Sequence, residues 1–218
     1  MKHMQSYSPE DLPDLIPVFP LPGALLLPSG RLPLNIFEPR YLSMVRDALK
    51  TNWLIGMIQP RTKNGEKDPI LYPVGCAGKI ISFTETGDGR LLITLGGLLR
   101  FKTKHELPLY NGYRRFDIDW KPFKRDLLPV AEPEIDRAHF EAVLRQYLNA
   151  HKIPVKWDNI ENTSSALLVT SLAMQCPFTP EEKQALLEAP NLTTLTNLMV
   201  SLFAMAASSN AASSESRH

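Results

Sequence analysis

The 218-residue chain lacks a GxxxxGK[ST] phosphate loop; its one glycine pair, Gly96-Gly97, runs into Leu98-Leu99-Arg100 without the lysine and hydroxyl that hold phosphate and magnesium. A nucleotide-burning module of that kind is therefore excluded. There is no GxSxG nucleophile elbow either. Histidine is scarce (His3, His105, His139, His151, His218), and no HExxH or HxxxH pair is present, so a zinc site has nothing to start from. His105-Glu106 beside a strand end reads as a solvated pair rather than an acid/base couple. The two cysteines, Cys76 and Cys176, have no CxxC neighbour and sit in apolar contexts that raise a thiol pKa, so two buried, unreactive thiols are expected. No sign of charge dominates: 24 Lys and Arg against 23 Asp and Glu leave +1, too little to attract nucleic acid or acidic membrane through bulk electrostatics. Long apolar runs are missing as well. Leu198 to Ala207 is interrupted by Ser201 and too short to span a bilayer, and the polar N-terminus has no signal-peptide core. These absences predict a cytoplasmic, non-enzymatic protein without cofactor, metal or membrane partner.

What is present is an ordinary globular composition, 44% hydrophobic and 22% charged, long enough to bury about 70% of its unfolded surface. Residues Leu15 to Leu49 show the organisation. Apolar runs at Ile16–Phe19, Ala24–Leu27 and Leu32–Phe37 are separated by Pro20, Pro22, Gly23, Pro28, Ser29 and Gly30, which predicts short strands joined by turns. After Pro39 the period becomes helical, through Tyr41, Leu42, Val45, Ala48 and Leu49. Pro39 suits the first helical position, and Glu38 can set a carboxylate against the free amides there. Trp53 to Ile58 is a further strand, and Pro60 to Pro69 (PRTKNGEKDP) a mobile polar loop. Gly75 to Thr84 and Arg90 to Thr103 form a hairpin about Asp88-Gly89, and Tyr113 to Trp120 adds a strand. Together these make a small, mostly β, barrel-like lobe.

From Pro133 the pattern is helical. Apolar faces mark helices at Ile135 to Leu148 and Ser164 to Met174. A capping box at Thr179-Pro180-Glu181-Glu182 opens a third, and Asn191 caps a fourth. The fold class expected is α+β: a β-rich lobe at 13–122, a C-terminal helical bundle at 123–207, and flexible tails at 1–12 and 208–218.

Phe19 to Tyr41, FPLPGALLLPSGRLPLNIFEPRY, resembles the opening of the Lon-protease N-terminal domain family, the LON substrate-binding domain. Gly75-Cys76-Ala77-Gly78-Lys79-Ile80 and Gly97-Leu98-Leu99-Arg100-Phe101, similar to the family's Gly-x-x-Arg-Phe element, extend the resemblance, which covers roughly residues 14 to 206. Asn35 departs from the pattern where histidine is expected, so no role of that side chain carries over. The resemblance implies a PUA-like β lobe and a substrate-recognition domain standing without ATPase or peptidase modules, for which no room remains after residue 207.

Its implied partner is unfolded or extended polypeptide, with the protein acting as an adaptor in protein quality control beside a separate ATP-dependent protease or chaperone. Such a chain could add to an uncovered strand edge or lie in a groove between the lobes. Leu25, Leu27, Leu34 and Phe37 are candidate contacts, although large leucines and phenylalanine in such runs more often serve as core. Glu38, Arg40 and Tyr41 are either recognition groups or a carboxylate–guanidinium pair fixing the strand–helix junction. The alternative function is nucleic-acid binding, because Arg114, Arg115, Lys124 and Arg125 interleave with aromatics from Tyr113 to Phe123; Asp117, Asp119 and Asp126 dilute that patch.

Overall fold

Prolines and glycines divide the first half of the chain into strands, and the computed structural model describes residues 8–61, 69–129, 132–154, 157, 160 and 162–215. The strands are β1 (Leu15–Pro20), β2 (Arg31–Ile36), β3 (Leu54–Ile58), β4 (Val74–Glu85), β5 (Leu91–Tyr110) and β6 (Tyr113–Asp119). The helices are α1 (Pro39–Leu49), α2 (Arg137–Ala150), α3 (Ser165–Gln175), α4 (Pro180–Glu188) and α5 (Leu192–Glu215). The class is α+β, as the patterning predicts. Residues 62–68 of the expected polar loop lie outside the described residues, as do 1–7 and 216–218 of the expected tails.

The sheet runs β2-β5-β4-β3-β1-β6, and β6 also pairs with β5. Five strands thus return on themselves as a ring, with β1 and β3 parallel and the remaining pairs antiparallel. Among the described residues β2 pairs on one side, with β5. Gly97 N–H donates to Gly30 O at 2.8 Å, one step beyond the Arg31–Gly96 register, so the even-numbered residues of β2 face β5. Pro33 then turns its nitrogen outward, where the missing N–H costs the ladder nothing and blunts the edge against added strands.

Ala24–Leu27, expected as a strand, is irregular backbone, although Leu25, Leu26 and Leu27 are buried. The reason is how closely it crosses the sheet. A Cβ on Gly97 would lie 1.9 Å from Leu27 O, and one on Gly78 would lie 2.7 Å from a Leu26 methyl. Phe101 claims similar space on the other side: Cβ atoms on Gly56 and Gly75 would meet its ring at 2.8 and 2.5 Å. The core beneath joins Ile16, Val18, Leu54, Leu99, Phe101, Phe116, Ile118 and Trp120.

The chain divides into two compact units, one from the start through Pro129 plus Cys176–Leu187, the other Val130–Gln175 plus Glu188 onward. Patterning put the seam after residue 122 and α4 in the bundle. In the structure, the 3₁₀ turn Lys121–Leu127 and nearly all of α4 group with the sheet. Buried polar groups hold α4 there. Lys183 Nζ donates to Gly23 O at 2.6 Å, Gln184 Nε2 to Val74 O at 3.2 Å and Gln59 Nε2 to Pro180 O at 3.1 Å. The capping box at its start forms as expected, Thr179 and Glu182 bonding reciprocally.

In the second unit Tyr147 and Phe140 of α2 stack on Phe203 of α5, at 4.5 and 6.2 Å between ring centroids. Arg137 bonds Ile160 O, Thr163 O and Ser165 Oγ, and Asn191 caps α5 as expected. Two expected tails differ from the structure. Ser8 and Asp11 form a capping box, and Leu12 is buried in the core. At the other end the backbone of α5 continues past Ala207 to Glu215, as its alanines favour.

Gly97→Ala is expected to destabilise the protein by about 3 kcal/mol in urea unfolding, because a backbone carbonyl occupies the Cβ position. Gly87→Ala, with nothing within 4 Å of its Cβ, is expected to stay within about 0.5 kcal/mol of wild type.

Candidate functional site

The Glu38-Pro39-Arg40-Tyr41 cluster lies where β2 hands over to α1. Pro39 takes the first helical position, but Glu38 does not cap the helix with its side chain. Its carboxylate instead accepts from Arg40 Nε at 2.9 Å, both side chains nearly half exposed. The Arg40 guanidinium also stacks on Tyr41, 4.5 Å above the ring centroid, while Tyr41 packs on Phe19 at 4.2 Å. Burial raises the Tyr41 hydroxyl pKa, opposed by Arg40.

Surface clefts meet at this junction. One of about 280 Å³ is lined by Leu34, Phe37, Glu38, Arg40 and Tyr41 together with Phe19 to Pro22. A neighbour of about 390 Å³ shares Pro20, Pro22, Arg40 and Tyr41 and adds Pro60, Pro69, Leu109, Gly112, Tyr113 and Arg114. A shallower one of about 610 Å³ shares Pro69, Leu109 and Arg114 and reaches Ile70, Leu107 and Phe116. Shared walls make the three a continuous surface within the first unit. Phe37, Ile70 and Leu109 are exposed at 61%, 63% and 58%, high for large apolar side chains.

Five of the seven candidate contacts are therefore brought together: Leu34, Phe37, Glu38, Arg40 and Tyr41. Leu25 and Leu27 are not, because they are buried at 2% and 4% exposure. The basic residues of the alternative separate. Arg114 binds Glu106 with two bonds of 2.6 and 2.7 Å and donates to Pro69 O at 2.8 Å. Arg115 lies 4.4 Å over the Tyr110 ring. Lys124 and Arg125 stand exposed on the 3₁₀ turn.

The patterning anticipates β6 from Tyr113 but misses the end of β5 and the turn that supply Leu109 and Gly112. β5 was expected to end at Thr103 but runs to Tyr110. The signal was there in Asn111-Gly112, a strong hairpin pair, with φ of 49° and 83° in the structure. Asp47 of α1 holds that turn: Oδ2 accepts from Asn111 Nδ2 at 2.9 Å and from Tyr113 hydroxyl at 3.2 Å. The Asn111 bond keeps the Asp47 carboxyl below its ordinary value of 3.8. Burial, then the Asp47 charge, pushes Tyr113 up to about 12. Burial likewise raises both thiols, Cys176 to about 12. Among the described residues no three His, Cys, Asp or Glu side chains gather as metal ligands, and no helix is long and apolar enough to cross a membrane.

A mixed six-strand sheet closing on itself, followed by helices and bearing a proline-lined surface cleft, defines an α+β domain of a recognisable kind. The chain belongs to the LON substrate-binding domain family: the model described as the ATP-dependent protease La (LON) substrate-binding domain matches residues 15–203. It is 25% identical over 199 residues to the Lon protease of Anaeromyxobacter dehalogenans and 26% identical over 199 residues to Lon protease 2 of Myxococcus xanthus. These matches take in 88% of this chain but only 23% and 24% of those proteins, so it spans under a quarter of their length. Among solved structures, a Lon N-terminal domain protein from Xanthomonas campestris aligns at TM-score 0.59 with 22% identity, over 86% of this chain and 97% of that one. The N-terminal domain of Mycobacterium avium complex Lon protease aligns at 0.61 with 14% identity, over 87% and 98%. At such identities these two establish the fold.

Asp47 predicts a pH dependence. A carboxyl whose folded pKa is depressed contributes stability that is complete above its unfolded pKa and is lost as pH falls through the folded value. Acid titration of unfolding free energy is expected to show this loss below the ordinary value of 3.8 in wild type, and a shallower decline in Asp47→Asn.

Proposed function

We propose that the protein binds exposed segments of extended or unfolded polypeptide in the cleft around Arg40 and Tyr41, without chemistry of its own. In this reading it is an adaptor in protein quality control that works in the cytoplasm beside a separate ATP-dependent protease or chaperone. Membership of a substrate-binding family supports binding of protein substrates, and the relatives named above are proteases. The observation that carries the site is the continuous cleft with Phe37, Ile70 and Leu109 exposed along it.

The chemistry of the wall indicates how a segment is held. Pro20, Pro22, Pro60, Pro69 and Pro108 offer no backbone N–H, so strand addition has few donors to work with there. Arg40 and Arg114 are each already matched by a carboxylate, Glu38 and Glu106. What the wall offers a ligand is rigid apolar and aromatic surface with little net charge. Apolar side chains of the bound segment then supply the affinity, and salt weakens it little.

Nucleic acid is the rival ligand, and Arg114 is the observation that disfavours it, since its guanidinium is spent on Glu106 and Pro69. Fluorescence anisotropy with a permanently unfolded, thiol-capped protein separates the two. Phe37→Ser with Leu109→Asp is expected to weaken binding more than about tenfold, as loss of anchors worth about 1.4 kcal/mol or more would. Lys124→Gln with Arg125→Gln is expected to leave it unchanged, and affinity to persist in moderate salt. Binding of RNA that collapses steeply with salt and is lost in the second pair would reverse the assignment.

A further inference from the structure

Asn111-Gly112 is the two-residue connection between β5 and β6, with Tyr110 paired to Tyr113 across it and both turn residues at positive φ. Asn111 is exposed to solvent. Its carboxamide reaches α1, where Nδ2 donates to Asp47 Oδ2 at 2.9 Å. The same oxygen accepts from the Tyr113 hydroxyl at 3.2 Å, and Lys50 Nζ approaches Oδ1 at 3.5 Å. One carboxylate thus fastens the turn to the helix. The turn also presses on α1 directly, since a Cβ on Gly112 would lie 3.2 Å from Arg40 Cβ.

An asparagine followed by glycine is chemically unstable in water. The Gly112 amide nitrogen, unshielded by a side chain, attacks Asn111 Cγ. An N–Cγ bond forms, the Cγ–Nδ2 bond breaks, and ammonia leaves carrying the proton given up by the amide. Water then opens the cyclic imide at one carbonyl or the other, yielding aspartate or isoaspartate. Water is consumed, ammonia released, and no other reactant is required. A carboxamide tied to α1 is restrained from turning onto that nitrogen.

We propose that Asn111 is a site of spontaneous deamidation whose rate is set by Asp47, and that conversion undoes the clasp between α1 and the β5–β6 turn. Aspartate at 111 has no N–H to donate and sets a second carboxylate against Asp47, with Tyr113 and Lys50 the donors at hand. Isoaspartate adds a methylene to the main chain of a turn whose geometry is fixed by two residues. The protein thereby carries a chemical clock in a wall of the 390 Å³ cleft, where Gly112 and Tyr113 both stand.

The test is site-resolved peptide mapping of the whole chain during incubation at neutral pH and physiological temperature, against a short peptide spanning residues 108–115. Wild-type Asn111 is expected to convert several-fold more slowly than the peptide, and Asp47→Ala to accelerate it towards the peptide rate. Tyr113→Phe removes the other clasp to Asp47 but keeps the amide's bond, so its rate is expected to stay near wild type; this separates a local restraint from general loosening. Asn111→Asp is expected to lower the melting temperature and speed hydrogen exchange in α1. Equal rates in wild type and Asp47→Ala, matching acceleration in Tyr113→Phe, or an Asn111→Asp protein melting as wild type would each overturn the proposal.

Discussion

Packing of the sheet depends on the segment from Gly97 to Phe101. Gly97 lets the Leu27 carbonyl lie where a side chain would be, and Phe101 fills the room that Gly56 and Gly75 leave. Between them Arg100 is buried with Asp126, through bonds of 2.8 and 2.7 Å, and donates to Leu187 O at 3.0 Å. Its guanidinium also lies 4.7 Å over the Phe123 ring. A buried guanidinium is costly unless matched by a carboxylate and further acceptors, and this one is. The consequence is topological: one strand residue joins the sheet, the 3₁₀ turn after β6 and the end of α4.

That constraint also explains where the cleft lies. The leucines of Leu25–Leu27 are drawn inward across the small residues of β4 and β5, so the chain surfaces again only at β2 and the α1 junction. β5 meanwhile runs on past its pairing with β4 and follows β6 to the turn after Tyr110. That turn joins α1 through Asp47, closing the far wall of the cleft. Prolines at 20, 22, 60 and 69 fix φ at four points along the near side.

Much of the fold was legible in residues 15 to 120 because strands and turns there carry local signals. Asp88-Gly89, Pro39 and the Thr179–Glu182 box each act within a few residues of themselves, and each appears where its chemistry predicts. The site was legible only in part. Phe37 and Leu34 line the cleft while Leu25 and Leu27 are core, yet all four are large apolar residues in neighbouring runs, and only their position across the sheet tells them apart. Arg114 likewise reads as a free cation in a basic stretch, whereas Glu106, eight residues away on the paired strand, neutralises it. Cross-strand partners of this kind have no spacing that a linear pattern can reveal.

From its residues alone the chain is committed to an α+β fold, to most of its strands and helices, and to the LON opening from Phe19 to Tyr41. Those follow from periodicity and turn chemistry, which are short-range. Tertiary structure decided which glycines are spaces for other atoms, which leucines are inside, and that α4 belongs with the sheet through Lys183, Gln184 and Gln59. It also decided that Asn111 and Asp47, 64 residues apart, share a hydrogen bond. Each of these depends on distances between groups remote in the chain, and such distances exist only once the ring of strands has closed.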